Sequence, residues 1–256
     1  MKPSHKLDDQ TPEDNVVQFP TSSVSLDIEV TPFGLARTFG FTVTLLLIAH
    51  ILVQTVRFTT GDERVFGLVY MFSVGADGNI PTFYSALALM FASMMLAFTG
   101  SLVHKARQPM SLYWFGLCMI FSFLAADEML ELHEKLIEPV RTALNTSGLF
   151  YYAWIIPYAA GAFVIGLVYL RFLLALPRRT GIGFIIAGGT FIAGAIGIEM
   201  LGGVIFEMVG GKDPLYVAAQ TVEEALEMFG IVIFIYVIAD YIANHFGSVS
   251  ISFKPR

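Results

Sequence analysis

The chain has 256 residues, of which 55% are hydrophobic and only 14% charged, with a formal net charge of -6. Soluble domains carry about 25% charged residues, so this composition excludes an ordinary soluble domain and points to the bilayer. The 15 Lys and Arg are scattered between apolar runs, which excludes nucleic acid as a partner, because phosphate binding needs a concentrated basic surface.

Residues 1–36 are polar, carry six acidic residues and lack the basic-then-apolar order of a signal peptide. They are predicted to be a disordered tail, with a short ordered piece at Val24 to Val30. Apolar runs follow at 38–57, 82–103, 111–130, 150–173, 181–209 and 215–243. Each is close to the roughly 20 residues that cross a hydrocarbon core. The piece VFGLVYMFSV (65–74) is too short to cross and reads as an interfacial or re-entrant segment leading into the turn GADGN. The expected fold is therefore an all-α integral membrane protein. A six-helix transmembrane bundle occupies 37–245, and 246–256 form a C-terminal tail. Cys118, the single cysteine, lies inside an apolar run and rules out an intrachain disulfide and a thiolate metal site.

Six spans put both termini on one side. Ten of the Lys and Arg, including Arg37, Lys105, Arg178 and Arg179, share that side, against Arg57, Arg64, Lys135, Arg141 and Lys212 on the other. Positive charge stays in the cytoplasm, so both termini are expected there, in a cell inner membrane. Fourteen of the 21 acidic residues then fall on or near the outer side.

Alternating helix direction assigns each polar residue a depth. Asp127 lies about 24 Å along the third helix, near the outer edge of a core about 30 Å thick. Glu199 on the fifth helix, His50 on the first, and Glu223 and Glu227 on the sixth reach about the same layer. If the third helix continues past the membrane, Asp127, Glu131, Glu134 and Glu138 form a stripe within about 60°, with Glu128 and His133 on opposite flanks. Glu199 shares its face with Gly188, Ala195 and Gly202, small residues suited to close helix approach. Glu223 and Glu227 share theirs with Ala219 and Gly230.

Several carboxylates at one depth cannot all ionise without a counter-charge. Protons, a metal ion, or Arg57, Arg64, Lys135 and Arg141 are the candidates. The metal reading takes Asp127, Glu134, Glu199, Glu223 and Glu227 as oxygen ligands, with His133 or His50 supplying nitrogen. Carboxylate-rich helix bundles hold iron or manganese in this way, and oxygen ligands also suit calcium or magnesium, with zinc not excluded. The Glu-x-x-His pair usual in such bundles is absent, since Leu130 lies three before His133. A proton or cation transporter using the same carboxylates, and an accessory membrane subunit with a structural ion network, stand as alternatives. Expected partners are the lipid bilayer and either a second copy or another membrane protein. Asp77 reads as a turn former able to act as a lid, and Glu128, Glu131 and Glu138 as solvated charges. Scattered histidines and the absence of a phosphate loop or nucleophile elbow exclude several enzyme classes.

The segments NIPTFYSALALMF (79–91), FLAADEMLELHEKL (123–136) and TVEEALEMFGIVIFIY (221–236) together resemble a class of uncharacterised bacterial multi-pass membrane proteins. The shared pattern is Asp-Glu, then His-Glu, then a late Glu-Glu-x-x-Glu-Met. The resemblance emphasises Asp127, Glu128, His133, Glu134, Glu223, Glu224 and Glu227 and implies no particular activity.

Overall fold

The computed structural model describes residues 29–249. Its regular elements are all helical, with no strand among the described residues. The helices are α1 (Pro32–Thr60), α2 (Leu68–Phe72), α3 (Ile80–Lys105), α4 (Ser111–Leu130), α5 (Ile137–Leu144), α6 (Ile155–Ala175), α7 (Arg178–Ile192), α8 (Glu199–Val209) and α9 (Pro214–Phe246). A π-helical turn, Ala193–Ile198, joins α7 to α8, so Arg178–Val209 is one long span. Among the described residues, six helices are long and apolar enough to cross a membrane.

Three of the six open with the same chemistry. Thr31, Asn79 and Asp213 accept a backbone N–H from the first turn, and a proline follows at one of the first two helical positions. Proline loses nothing there because its missing N–H would have no helical partner. The cap at Thr31 starts α1 at Pro32, ahead of the apolar run that marks it in the sequence. Most of the Val24 to Val30 piece lies outside the described residues.

Helices α3 and α9 form the centre: half of the most apolar stretch of each is buried, against 11% for α6. Trp114, Leu96, Phe172, Ile235 and Ile238 fill the interior toward the end where α4 begins and α9 finishes. There Trp114 packs edge-on against Phe172 and Phe184 and stacks on Tyr241. Glycines bring α7 and α9 together: a Cβ on Gly230 would lie 2.8 Å from the Phe191 backbone nitrogen, and one on Gly183 would lie 2.6 Å from Val237. Helix α6 meets α4 through aromatic pairs near its far end, Tyr113–Tyr169 and Tyr113–Phe172. Toward the other end a cavity opens between α4, α6, α7 and α9.

Candidate functional site

Helix α4 does not continue as a charged stripe. It ends at Leu130, and Glu131 adopts a left-handed backbone conformation (φ 52°) that turns the chain. The physical cause is Asp127, whose Oδ1 accepts the His133 backbone N–H at 2.9 Å and so folds the following segment back onto the helix end. Asp127, Glu131, Glu134 and Glu138 therefore do not share one helical face. The fold-back instead sets the His133 ring beside Asp127, with Nδ1 3.4 Å from Oδ2 and the ring 4.8 Å from the Trp154 ring centre. Tyr158 donates its hydroxyl to Asp127 Oδ1 at 3.0 Å from α6. Among the described residues, Nε2 of His133 has no hydrogen-bond partner. A carboxylate fixing one imidazole nitrogen while the other remains free is the arrangement that orients histidine ligands in metal sites.

Burial favours the neutral His133 ring, but the hydrogen bond and charge of Asp127, joined by Glu134 and Glu128, outweigh it and hold the imidazole above its ordinary range. A raised histidine pKa contributes stability that is complete below the unfolded value near 6.5 and is lost as pH rises through the folded value. In the metal-free protein His133 is expected to keep its proton beyond pH 6.5, and Asp127→Asn to lower its titration midpoint. Ring-carbon NMR of labelled histidine measures both.

The opposite wall comes from α8 and α9. Glu199 begins α8 directly after the π-helical turn, and its Oε1 accepts the Trp154 indole N–H at 3.3 Å. Single π turns often mark functional positions because they rotate the following residues relative to a regular helix. Inside this turn Gly194 lies against α9, where a Cβ would meet the Glu223 carbonyl at 2.7 Å and Glu227 Cγ at 3.0 Å. A Cβ on Gly202 would lie 3.9 Å from both Glu199 Oε2 and Glu223 Oε2. The two small residues thus let the carboxylates of α8 and α9 share one space. Among the described residues, Glu223 Oε2 is buried with no hydrogen-bond donor. Gly188, expected at a close helix contact, instead lines the cavity and faces no atom within 4 Å of a built Cβ.

A third wall is the loop before α3. Asn79 donates its side-chain amide to the Tyr70 and Ser73 carbonyls, and Gln220 of α9 donates to the Gly75 carbonyl at 3.1 Å. These bonds hold Asp77 over the cavity mouth, where Asp77, Glu131 and Glu134 each place a carboxylate oxygen within 4.8 Å of the others. Burial raises the pKa of Asp77 and Glu134, and each is raised further by neighbouring carboxylates. This rim triad could hold a metal ion. Sequence reasoning gave Asp77 a turn or lid role and left Glu131 as a solvated charge, because their approach depends on the loop fold and the left-handed turn.

These walls enclose a cavity of about 860 Å³. Asp77, Asp127, Glu128, His133, Glu134, Glu199, Glu223, Glu224 and Glu227 line it, and among the described residues no Lys or Arg does. The candidate counter-charges are engaged elsewhere. Arg57 pairs with Glu63 at 2.8 Å, Arg141 donates to the Tyr151 carbonyl, and Lys135 donates to the Leu130 carbonyl. Arg64 lies with Arg57 in an adjoining pocket that shares Gly75, Tyr216 and Gln220 with the cavity, and does not line the cavity itself. Of the three candidate neutralisers, protons and a metal ion remain.

His50 is not part of this cavity. Its Nδ1 accepts the Val74 backbone N–H at 3.2 Å, and its Nε2 meets Thr221 Oγ1 at 3.0 Å. Thr221 spends its own hydroxyl proton on the Val217 carbonyl, so Nε2 of His50 is the donor. Both ring nitrogens are occupied in tying α1 to α9 and the loop. His50 sits at the height expected from its place on α1, but height along a helix does not reveal these partners.

No curated protein and no solved structure matches the chain. Residues 38–240, which include every group lining the cavity, match the family described as Domain of unknown function (DUF8692), and the chain belongs to that family.

Proposed function

We propose that this is a multi-pass membrane protein whose acidic cavity, near the extracytoplasmic face, binds one or two divalent metal ions. The observation that carries the reading is the composition of the cavity wall: eight carboxyl groups and one imidazole, with no Lys or Arg among the described residues and with Glu223 Oε2 buried beside the Glu199 carboxylate. A divalent ion supplies the charge and coordination such a wall lacks. Asp77, Glu131 and Glu134 are the set gathered closely enough to share an ion among the described residues, and His133, Glu199, Glu223 and Glu227, which line the cavity but are gathered less closely, are the proposed inner ligands. Asp127 acts as the carboxylate that orients His133, and Asp77, Glu131 and Glu134 form a second position at the mouth. A mixed oxygen and nitrogen set favours manganese or iron over calcium and magnesium. Beyond the carboxylates the cavity is lined by Leu117, Phe121, Leu173, Phe184 and Phe234. That lining offers a proton or cation no onward relay and disfavours the transporter reading.

Titrating purified protein with Mn²⁺ and following the free-ion electron paramagnetic resonance signal tests the site. The signal should be suppressed until one or two ions per chain are bound, whereas a full free-ion signal from the first addition would refute binding. The orientation is tested separately with Glu134→Cys in a Cys118→Ser background. An impermeant maleimide added outside intact cells should label it, and labelling only after lysis would reverse the proposed sidedness.

A further inference from the structure

The cavity is larger than a metal site needs, and its inner part is apolar. Along α4 the lining runs from Asp127 to Leu117, ten residues and so about 15 Å of helix. That matches the depth of one leaflet, half of a core about 30 Å thick. Helix α6 borders it with Gly161, Ala162 and Gly166, and α7 with Gly188. A Cβ built on Gly161, Gly166 or Gly188 meets no atom within 4 Å, so these glycines widen the space instead of admitting another helix.

The space also opens sideways. Met119 and Phe123 of α4 and Ile165 of α6 line the cavity and are 69%, 50% and 38% exposed, so no side chain packs over them between the two helices. A gap between two membrane-spanning helices at this depth faces hydrocarbon, where lipid chains are the solvent. The charge of the other end selects among lipids: a wall of carboxylates without Lys or Arg repels an anionic head and accommodates an ammonium.

We infer that the cavity takes an amine-bearing zwitterionic phospholipid, with a hydrocarbon chain in the apolar arm between α4, α6 and α7 and its ammonium head at the carboxylates. The inference rests on the membrane-spanning reading and does not require the metal. Membrane lipid is then a ligand, or the substrate, of the acidic site.

Native mass spectrometry of the full chain tests this, using detergent solutions supplemented with phosphatidylethanolamine or phosphatidylglycerol carrying identical deuterated palmitoyl and oleoyl chains. The wild type should retain one phosphatidylethanolamine per chain and hold phosphatidylglycerol at least tenfold less. Gly166→Leu with Gly188→Leu fills the arm and should reduce phosphatidylethanolamine occupancy at least tenfold. Gly189→Leu, which also meets no atom within 4 Å but does not line the cavity, should leave it unchanged. Gly161→Leu, nearer the mouth, repeats the test should the double variant misfold. Equal occupancy in the filled and control variants, no retained lipid in the wild type, or equal retention of the two lipids would overturn the inference. Metal content measured on the same samples separates the two claims, because lipid retained by a metal-free wild type supports this inference while contradicting the metal reading.

Discussion

Glu223→Gln is expected to weaken metal binding while leaving the metal-free fold nearly unchanged. Glu223 Oε2 is buried, and the side chain faces Glu199 across Gly202. Without metal, a desolvated carboxyl group among like charges is neutralised by a proton. The amide then replaces a neutral acid of nearly the same shape and can still donate a hydrogen bond toward Glu199, so the metal-free variant should stay within about 1 kcal/mol of the wild type in thermal unfolding. With metal present the same substitution deletes a charged ligand, and affinity should fall about 100-fold or more. A purely structural ion network predicts destabilisation under both conditions, so the pair of melting curves decides between the readings.

Divalent cation should stabilise the protein strongly, and more so as pH rises. At 100 times the dissociation constant a ligand that binds only the folded state adds about 2.7 kcal/mol. The pH dependence follows from Asp77 and Glu134, whose folded pKa values are raised by burial and by neighbouring carboxylates. A raised carboxylate pKa means that the folded chain holds protons the unfolded chain has released. In the metal-free protein this contribution is complete below the ordinary carboxylate range and is lost as pH rises through the raised values. Metal must displace those same protons, so its stabilising increment grows across the same window. Melting curves with and without Mn²⁺ at a series of pH values should diverge as pH increases. A constant offset would place the bound ion away from these groups.

The membrane-length helices were legible because hydropathy alone marks a run of about 20 apolar residues. The 1.5 Å rise then placed Asp127, Glu199, Glu223 and Glu227 at one depth, and all four line the same cavity. What escaped detection depended on departures from regular helix. The left-handed turn at Glu131 replaced a predicted stripe with the fold-back that sets His133 beside Asp127. The π-helical turn before Glu199 shifts the angular count on which a helical-wheel reading relies. Asp77 reaches the site through loop bonds made by Asn79 and Gln220, which no periodicity encodes. His50 failed for the converse reason: depth is necessary for a shared site, but Val74 and Thr221 already occupy both ring nitrogens. Cavity-lining glycines such as Gly166 and Gly188 look in sequence like the contact glycines Gly183 and Gly230, and only packing separates them.

The central claim, that the carboxylate cavity is a metal site, is tested most directly by elemental mass spectrometry of the purified protein. Wild type and a Glu199→Gln, Glu227→Gln double variant would be compared after the same mild chelator wash. The account predicts near-stoichiometric manganese or iron, one or two ions per chain, in the wild type and its loss from the variant. Absence of retained metal from both proteins, or equal metal in both, would contradict it.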